Sequence, residues 1–127
     1  EIPEEYVREG VYHDPDRCAE LTRELLQLPE PPTCILMPDD FSSIGGGNAI
    51  RRMGLRFPED VSAAGYDGIQ LASVTNPAMT TYRQDTAALG KTAAAKLIEL
   101  IEKPRTALVD RILIPGKLVE GGSVRAI

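Results

Sequence analysis

One histidine, two cysteines and no tryptophan are all that these 127 residues offer of the side chains that most often build metal and redox sites. A zinc site draws on several His and Cys ligands at fixed spacing, whereas His13 has only Asp14 and Asp16 beside it and reads as a solvated loop residue. No metal and no cofactor is expected. Cys18 and Cys34 fall in a predicted helix and a predicted buried strand, which makes them small apolar side chains of a reducing compartment and not a disulfide. Basic residues are outnumbered, 14 Lys and Arg against 19 Asp and Glu, for a formal net charge of -5. A chain of that sign is unsuited to gripping phosphate backbones. No apolar run approaches the ~20 residues of a membrane-spanning helix, so no membrane partner is expected. The opening EIPEEYVREG has neither the basic nor the apolar region of a secretory leader. GGGNAI lacks the Gly-Lys-Ser/Thr ending of a phosphate loop and the spacing of a dinucleotide fingerprint, leaving flexibility or close helix packing as its use.

What is present is 43% hydrophobic and 26% charged residues, the balance of one globular domain or part of one. After an extended opening through Val11 and Tyr12, Asp14-Pro15 supplies a capping acid and a first-turn proline. Cys18, Leu21, Leu25 and Leu28 then recur at helical spacing, predicting a helix from Pro15 to about Gln27. TCILMP, residues 33–38, is an apolar run of strand length and predicts a strand buried on both faces. FSSIGGGNAIRRMG predicts a helix with Ile44, Ile50 and Met53 inward and Gly54 as its stop. Val61 to Ala64 predict a second buried strand, NPAMTTYRQ an extended segment, Thr86 to Lys103 a helix, and RILIP a final strand, with Leu118-Val119 starting another. Strands alternating with helices predict an α/β fold, a mainly parallel sheet flanked by helices.

In such a sheet the ligand crevice lies beyond the carboxyl ends of the strands. TCILMPDD puts Asp39 and Asp40 past one strand, and VSAAGYDG puts Tyr66 and Asp67 past the next. Asp40, directly before the helix, is expected to cap it; Asp39 divides evenly between capping and ligand contact. Asp67 lies between Gly65 and Gly68 with no strong helix after it, so a cap explains it less well than ligand contact. Tyr12 reads equally as a core aromatic or as the wall of a pocket. No nucleophile, base and orienter accompany the carboxylates, so the chain is not expected to be an enzyme; a small hydrolase using Asp39 and Asp67 is the minority reading.

PTCILMPDDFSSIGGGNAIRRMGLRFPEDVSAAGYDG followed by NPAMTTYRQDTAALGKTAAAKLIELI resembles the effector-binding core of LacI/GalR-type transcriptional repressors over nearly the whole chain. GLRFPEDVSAAGYD is similar to that family's G-x-R-x-P-x-D-V-S-x-x-G-[FY]-D, and MTTYRQ to its L-T-T-[VI]-x-Q. The resemblance implies a two-lobed type I periplasmic-binding-protein-like fold closing on a small polar effector, often a sugar, in a cytoplasmic regulator. It implies that residues 1–84 are the carboxyl-terminal lobe, incomplete at its start, that 85–115 are a helix and strand of the other lobe, and that 116–127 are a return strand and tail. Asp67 matches the acid that hydrogen-bonds effector, Asp39 a polar position that is commonly Asn, and Tyr12 an aromatic that stacks on the effector. Ile44 and the segment Ser73, Val74, Thr75 and Asn76 match surfaces that pair two protomers, implying a homodimer. Operator DNA would be read only by an amino-terminal helix-turn-helix missing from this chain. The alternative of another class is a periplasmic solute-binding protein of a transport system, which shares the fold.

Overall fold

Asp14 and Pro15 start the first helix as their chemistry dictates. In the computed structural model, which describes residues 2–106 and 111–126, the Asp14 carboxylate accepts the Arg17 N–H at 2.9 Å and proline occupies the first position of α1, Pro15–Leu26. There follow β1, Cys34–Leu36; α2, Asp40–Arg52; β2, Ser62–Asp67; β3, Thr80–Arg83; α3, Thr86–Glu102; and β4, Lys117–Val119. The strands form one sheet in the order β1-β2-β3-β4, with β1 parallel to β2 and β2 parallel to β3. The α/β class and parallel sheet read from the sequence are therefore those of the structure. The opening segment carries a 3-10 turn at Glu4–Tyr6 that the sequence does not announce.

The chain divides into two compact units, residues 1–83 with 118–127, and residues 84–117. In the first, Cys18, Leu25 and Leu26 of α1, Ile35, Met37, Ile50, Val61 and Ala63 make the core, with Met53, Leu55 and Phe57 packed against it. The carboxyl-terminal tail completes it. The buried Ser123 hydroxyl donates to the Ala63 carbonyl and accepts from the Thr80 N–H, both at 2.7 Å, fastening β2 to β3. In the second unit α3 is capped by Asp85, whose carboxylate accepts the Ala88 N–H at 2.9 Å, and none of its residues is buried. Residues 107–110, inside the segment 85–115, lie outside the described residues.

Three expectations are corrected. RILIP, residues 111–115, is not a strand; among the described residues of its unit no neighbouring strand offers it ladder bonds. β1 is an edge strand and is not covered on both faces: Leu36 is 79% exposed and Cys34 is exposed, both cysteines being free. Asp39, not Asp40, is the N-cap of α2. The apolar run signalled the strand but not which neighbours cover it.

The three glycines of α2 are there for packing. A methyl group on Gly45 would overlap the Pro15 carbonyl, one on Gly46 would overlap the Met37 side chain, and one on Gly47 would stand 3.2 Å from the Phe57 ring. Close approach of α1 and α2 is what the weak helix formers allow. At the far end Gly54, with φ of 78°, donates to Arg51 O at 2.9 Å and Leu55 N–H reaches Ile50 O at 3.3 Å, the paired bonds of a Schellman stop. Gly45→Ala is accordingly expected to cost about 1–3 kcal/mol through overpacking against rigid backbone, despite alanine's ~1 kcal/mol better helix propensity. Gly47→Ala, which meets only a ring edge, should change stability by less than about 1 kcal/mol. Urea unfolding of the two variants checks this, and equal effects would contradict it.

Candidate functional site

The carboxyl end of β1 runs through Met37 and Pro38 into Asp39, which is 0% exposed. Its Oδ1 accepts the Ser42 N–H at 2.8 Å, and its Oδ2 accepts the Ser42 hydroxyl at 2.7 Å and the His13 N–H at 3.1 Å. Burial alone would raise this carboxyl's pKa, but the hydrogen bonds from the Ser42 hydroxyl, the Ser42 N–H and the His13 N–H outweigh it and hold the group below the usual carboxylate range. Asp39 is thus a charged brace between the start of α2 and the Tyr12-His13 turn. Asp40, also buried, accepts the Ile69 N–H on Oδ2 at 2.9 Å, tying α2 to the chain that leaves β2. Its Oδ1 has no hydrogen-bond partner among the described residues and faces Gly65, where a methyl group would strike it. Gly65 therefore makes room for Asp40 and does not form a turn.

Asp67 is the last residue of β2, which runs three residues further at its end than the Ala64 the sequence predicts, and has φ of 102°. Gly68 follows at φ of 72°, and a side chain there would overlap Arg83 of β3. A non-glycine residue in the left-handed region costs on the order of 1–3 kcal/mol and is retained where the surroundings or the function require it. The Asp67 side chain is 16% exposed. Its Oδ2 accepts the Tyr12 hydroxyl at 2.7 Å, and the Nε2 of His13 lies 3.8 Å from the same oxygen. The Tyr12 ring, 54% exposed, stacks on His13 with centroids 4.2 Å apart at 25°, and His13 tilts against Phe41 at 6.3 Å. Tyr66 stacks on its register partner Tyr82 at 5.7 Å.

The structure therefore joins Tyr12 directly to Asp67, and joins Asp39 to them through the His13 backbone. His13 and Phe41 are members of this cluster that the sequence reading did not place there; the positive φ of His13 leaves no mark in the sequence. The cluster offers an acidic acceptor, a phenol and aromatic faces, the parts needed to orient a polar ring. Among the described residues no group of three potential metal ligands exists. The second predicted surface is also contiguous: Ile44, Thr75 and Asn76 line a hollow of about 250 Å³ with Asn48, Arg51 and Phe57. There Arg51 stands 5.0 Å over the Phe57 ring and donates to the Asn76 carbonyl. Val74 beside it is 71% exposed, and Ser73, also exposed, donates its hydroxyl to Gln70 O. The RFPED motif is a loop closure, Asp60 accepting the Arg56 N–H at 2.7 Å, with the Arg56 side chain drawing the Asp60 pKa down to about 2.

The hydrogen bond to Asp67 is the main reason the Tyr12 pKa is pushed up from 10.0 to about 12, with burial and the Asp67 and Asp39 charges adding to it. The neutral phenol is the form that donates, so this contribution to stability is complete below about pH 10 and is lost as pH rises through about 12. Of the four tyrosines, Tyr12 is expected to ionise late in an ultraviolet titration, and Asp67→Asn should return it toward 10. A late transition unaltered by Asp67→Asn would contradict the pairing.

The sequence matches the periplasmic binding protein-like domain over residues 3–124. It is 33% identical over 128 residues to the HTH-type transcriptional repressor PurR of Escherichia coli, covering 98% of this chain and 37% of that protein. The chain thus spans little more than a third of the curated relatives it matches. Among solved structures it is similar to the lac repressor dimer bound to operator and an anti-inducer, with a TM-score of 0.78 and 30% identity over 87% of this chain and 38% of that one. It is likewise similar to a LacI family transcriptional regulator from Enterococcus faecium with bound ribose, with a TM-score of 0.75 and 27% identity over 87% of this chain and 41% of that one. The chain belongs to the periplasmic binding protein-like domain family, and the relatives it resembles are LacI-type transcriptional repressors.

Proposed function

We propose that this chain is the effector-sensing and dimerising part of a cytoplasmic LacI-type transcriptional regulator, without enzymatic activity, and that its effector is a sugar or a similar polar ring. Operator DNA is bound by an amino-terminal helix-turn-helix outside this chain. The observation that carries the reading is the Tyr12–Asp67 pair: a strained acid at the carboxyl end of a parallel strand, hydrogen-bonded at 2.7 Å to an exposed aromatic. Asp67 and Tyr12 contact the effector. Asp39 belongs to the same site, but its burial and three donors give it the task of holding the Tyr12-His13 turn in place. The names of the relatives favour a repressor over a transport protein, and a relative solved with ribose supports the ligand class.

The assignment of 1–84, 85–115 and 116–127 to alternating lobes is part of this reading, supported by the breaks between compact units at 83/84 and 117/118. Ile44 with Ser73, Val74, Thr75 and Asn76 forms the homodimer surface, supported by their contiguity and by the dimeric lac repressor structure. The effector acts by binding the DNA-competent and incompetent states of that dimer with different affinity, without which it shifts nothing.

In the full-length protein Asp67→Asn keeps size and tolerance of the left-handed backbone but removes a charged acceptor. Effector affinity should fall by roughly 10- to 150-fold with little change in melting temperature. Calorimetric titration with D-ribose, D-glucose and D-galactose, with melting curves, checks this; unchanged affinity with a melting point many degrees lower would sink the ligand role. On the same protein Ile44→Asp should dissociate the dimer in sedimentation while leaving the monomer folded, and an unaltered dimer would remove Ile44 from the interface.

A further inference from the structure

Among the described residues only two besides glycine have positive φ, His13 at 58° and Asp67 at 102°. Far apart in sequence, they converge, with His13 Nε2 3.8 Å from Asp67 Oδ2. Strained residues of this kind concentrate at ligand sites. The turn itself has no need of an imidazole: Asp14 caps α1, and the Asp39 brace uses only the His13 backbone N–H. Glycine or asparagine would suit the same backbone with less strain. The ring is nevertheless fixed, stacked on Tyr12 at 4.2 Å and tilted toward Phe41, while its side chain stays 59% exposed. Its Nε2 stands beyond direct hydrogen-bond distance from the Asp67 oxygen. At 3.8 Å both atoms can hydrogen-bond a third atom placed between them and solvent.

We infer that His13 is a specificity-determining residue: with Asp67 it clamps one hydroxyl group of the ligand, and the ligand is a cyclic polyol. This rests on the proposed effector-binding role of Asp67. A hydroxyl donates to the carboxylate and accepts from the imidazole N–H, satisfying both groups at once. An ether or carbonyl oxygen has no proton for Asp67, and an ammonium group has no lone pair for His13. A bare methylene offers the imidazole N–H no acceptor and gives Asp67 no donor beyond those it already holds, the Tyr12 hydroxyl among them, and so disfavours a deoxy analogue. The Tyr12-His13 stack and Phe41 present the flat apolar surface that the C–H face of a sugar ring covers.

The test is calorimetric titration of the full-length protein with D-ribose, D-glucose and D-galactose and with each monodeoxy derivative of whichever binds. One deoxy position is expected to lower affinity about tenfold or more. His13→Phe, which keeps an aromatic ring against Tyr12 but has no ring N–H, should lower affinity for the parent sugar by a similar factor and bind that deoxy sugar no worse than the wild type does. Melting curves establish that the variant is folded, and the deoxy series on the wild type needs no variant. Equal affinity for every deoxy sugar, or wild-type affinity in His13→Phe, overturns the clamp. If Asp67→Asn still weakens binding in that case, the ligand-binding reading survives without it; if Asp67→Asn changes nothing, that reading fails too. No measurable binding of any of these sugars overturns the cyclic-polyol assignment and the clamp with it.

Discussion

The carboxylate of Asp39, buried and met by three donors, holds together the pieces on which the candidate site depends. Two of those donors belong to the first turn of α2, whose N–H groups would otherwise be unsatisfied. The third is the His13 N–H, on a turn that precedes a different helix. One charged group thus fixes where α2 begins and where Tyr12 and His13 stand. Removing an oxygen from it would leave buried donors without partners, which costs more than a typical exposed hydrogen bond contributes. The charge is stabilised where it lies, because the donors offset the burial penalty and keep the carboxyl ionised.

Around that brace the packing is arranged to bring α1 and α2 close. The glycines at 45 and 46 admit the Pro15 backbone and the Met37 side chain, at the expense of helix propensity on the order of 1 kcal/mol per residue. Gly65 serves Asp40 in the same way, and Asp40 in turn holds the Ile69 N–H just beyond Asp67. The two adjacent acids therefore have separate duties. Asp39 reaches toward the Tyr12-His13 turn and Asp40 toward the exit of β2, so the two walls of the candidate site are referred to the same helix start. From there α2 runs to Arg51, which meets Asn76 at the other surface considered above.

Much of this was legible in the sequence, for physical reasons that differ from element to element. Asp14-Pro15 and the helical spacing of Cys18, Leu21 and Leu25 are local signals, and α1 follows them closely. Parallel strands ending in acids placed Asp39 and Asp67 at one edge without any knowledge of contacts. What the sequence left out is what depends on distant partners. The apolar run of β1 carried no information about which face is covered, so Leu36 and Cys34 stand exposed. Capping preference alone does not distinguish Asp39 from Asp40; in three dimensions Asp39 accepts the Ser42 N–H of the helix start while Asp40 is taken up by the distant Ile69 N–H. Nothing near Ser123 announces that its hydroxyl fastens β2 to β3 from 60 residues beyond Ala63. In the sequence His13 reads as a solvated loop residue, because its backbone conformation and its neighbours Tyr12, Phe41 and Asp67 appear only in three dimensions.

The brace itself is open to direct measurement by native-state amide hydrogen exchange at His13. That residue lies in an exposed turn outside any helix or strand, where an amide would ordinarily exchange at close to the rate of an unstructured peptide. With its N–H held by the buried Asp39 carboxylate, the His13 amide is expected to exchange far more slowly than that, and to lose its protection in Asp39→Ala while amides in the middle of α1 keep theirs. An unprotected His13 amide in the wild-type protein, or protection that survives Asp39→Ala, would contradict the account.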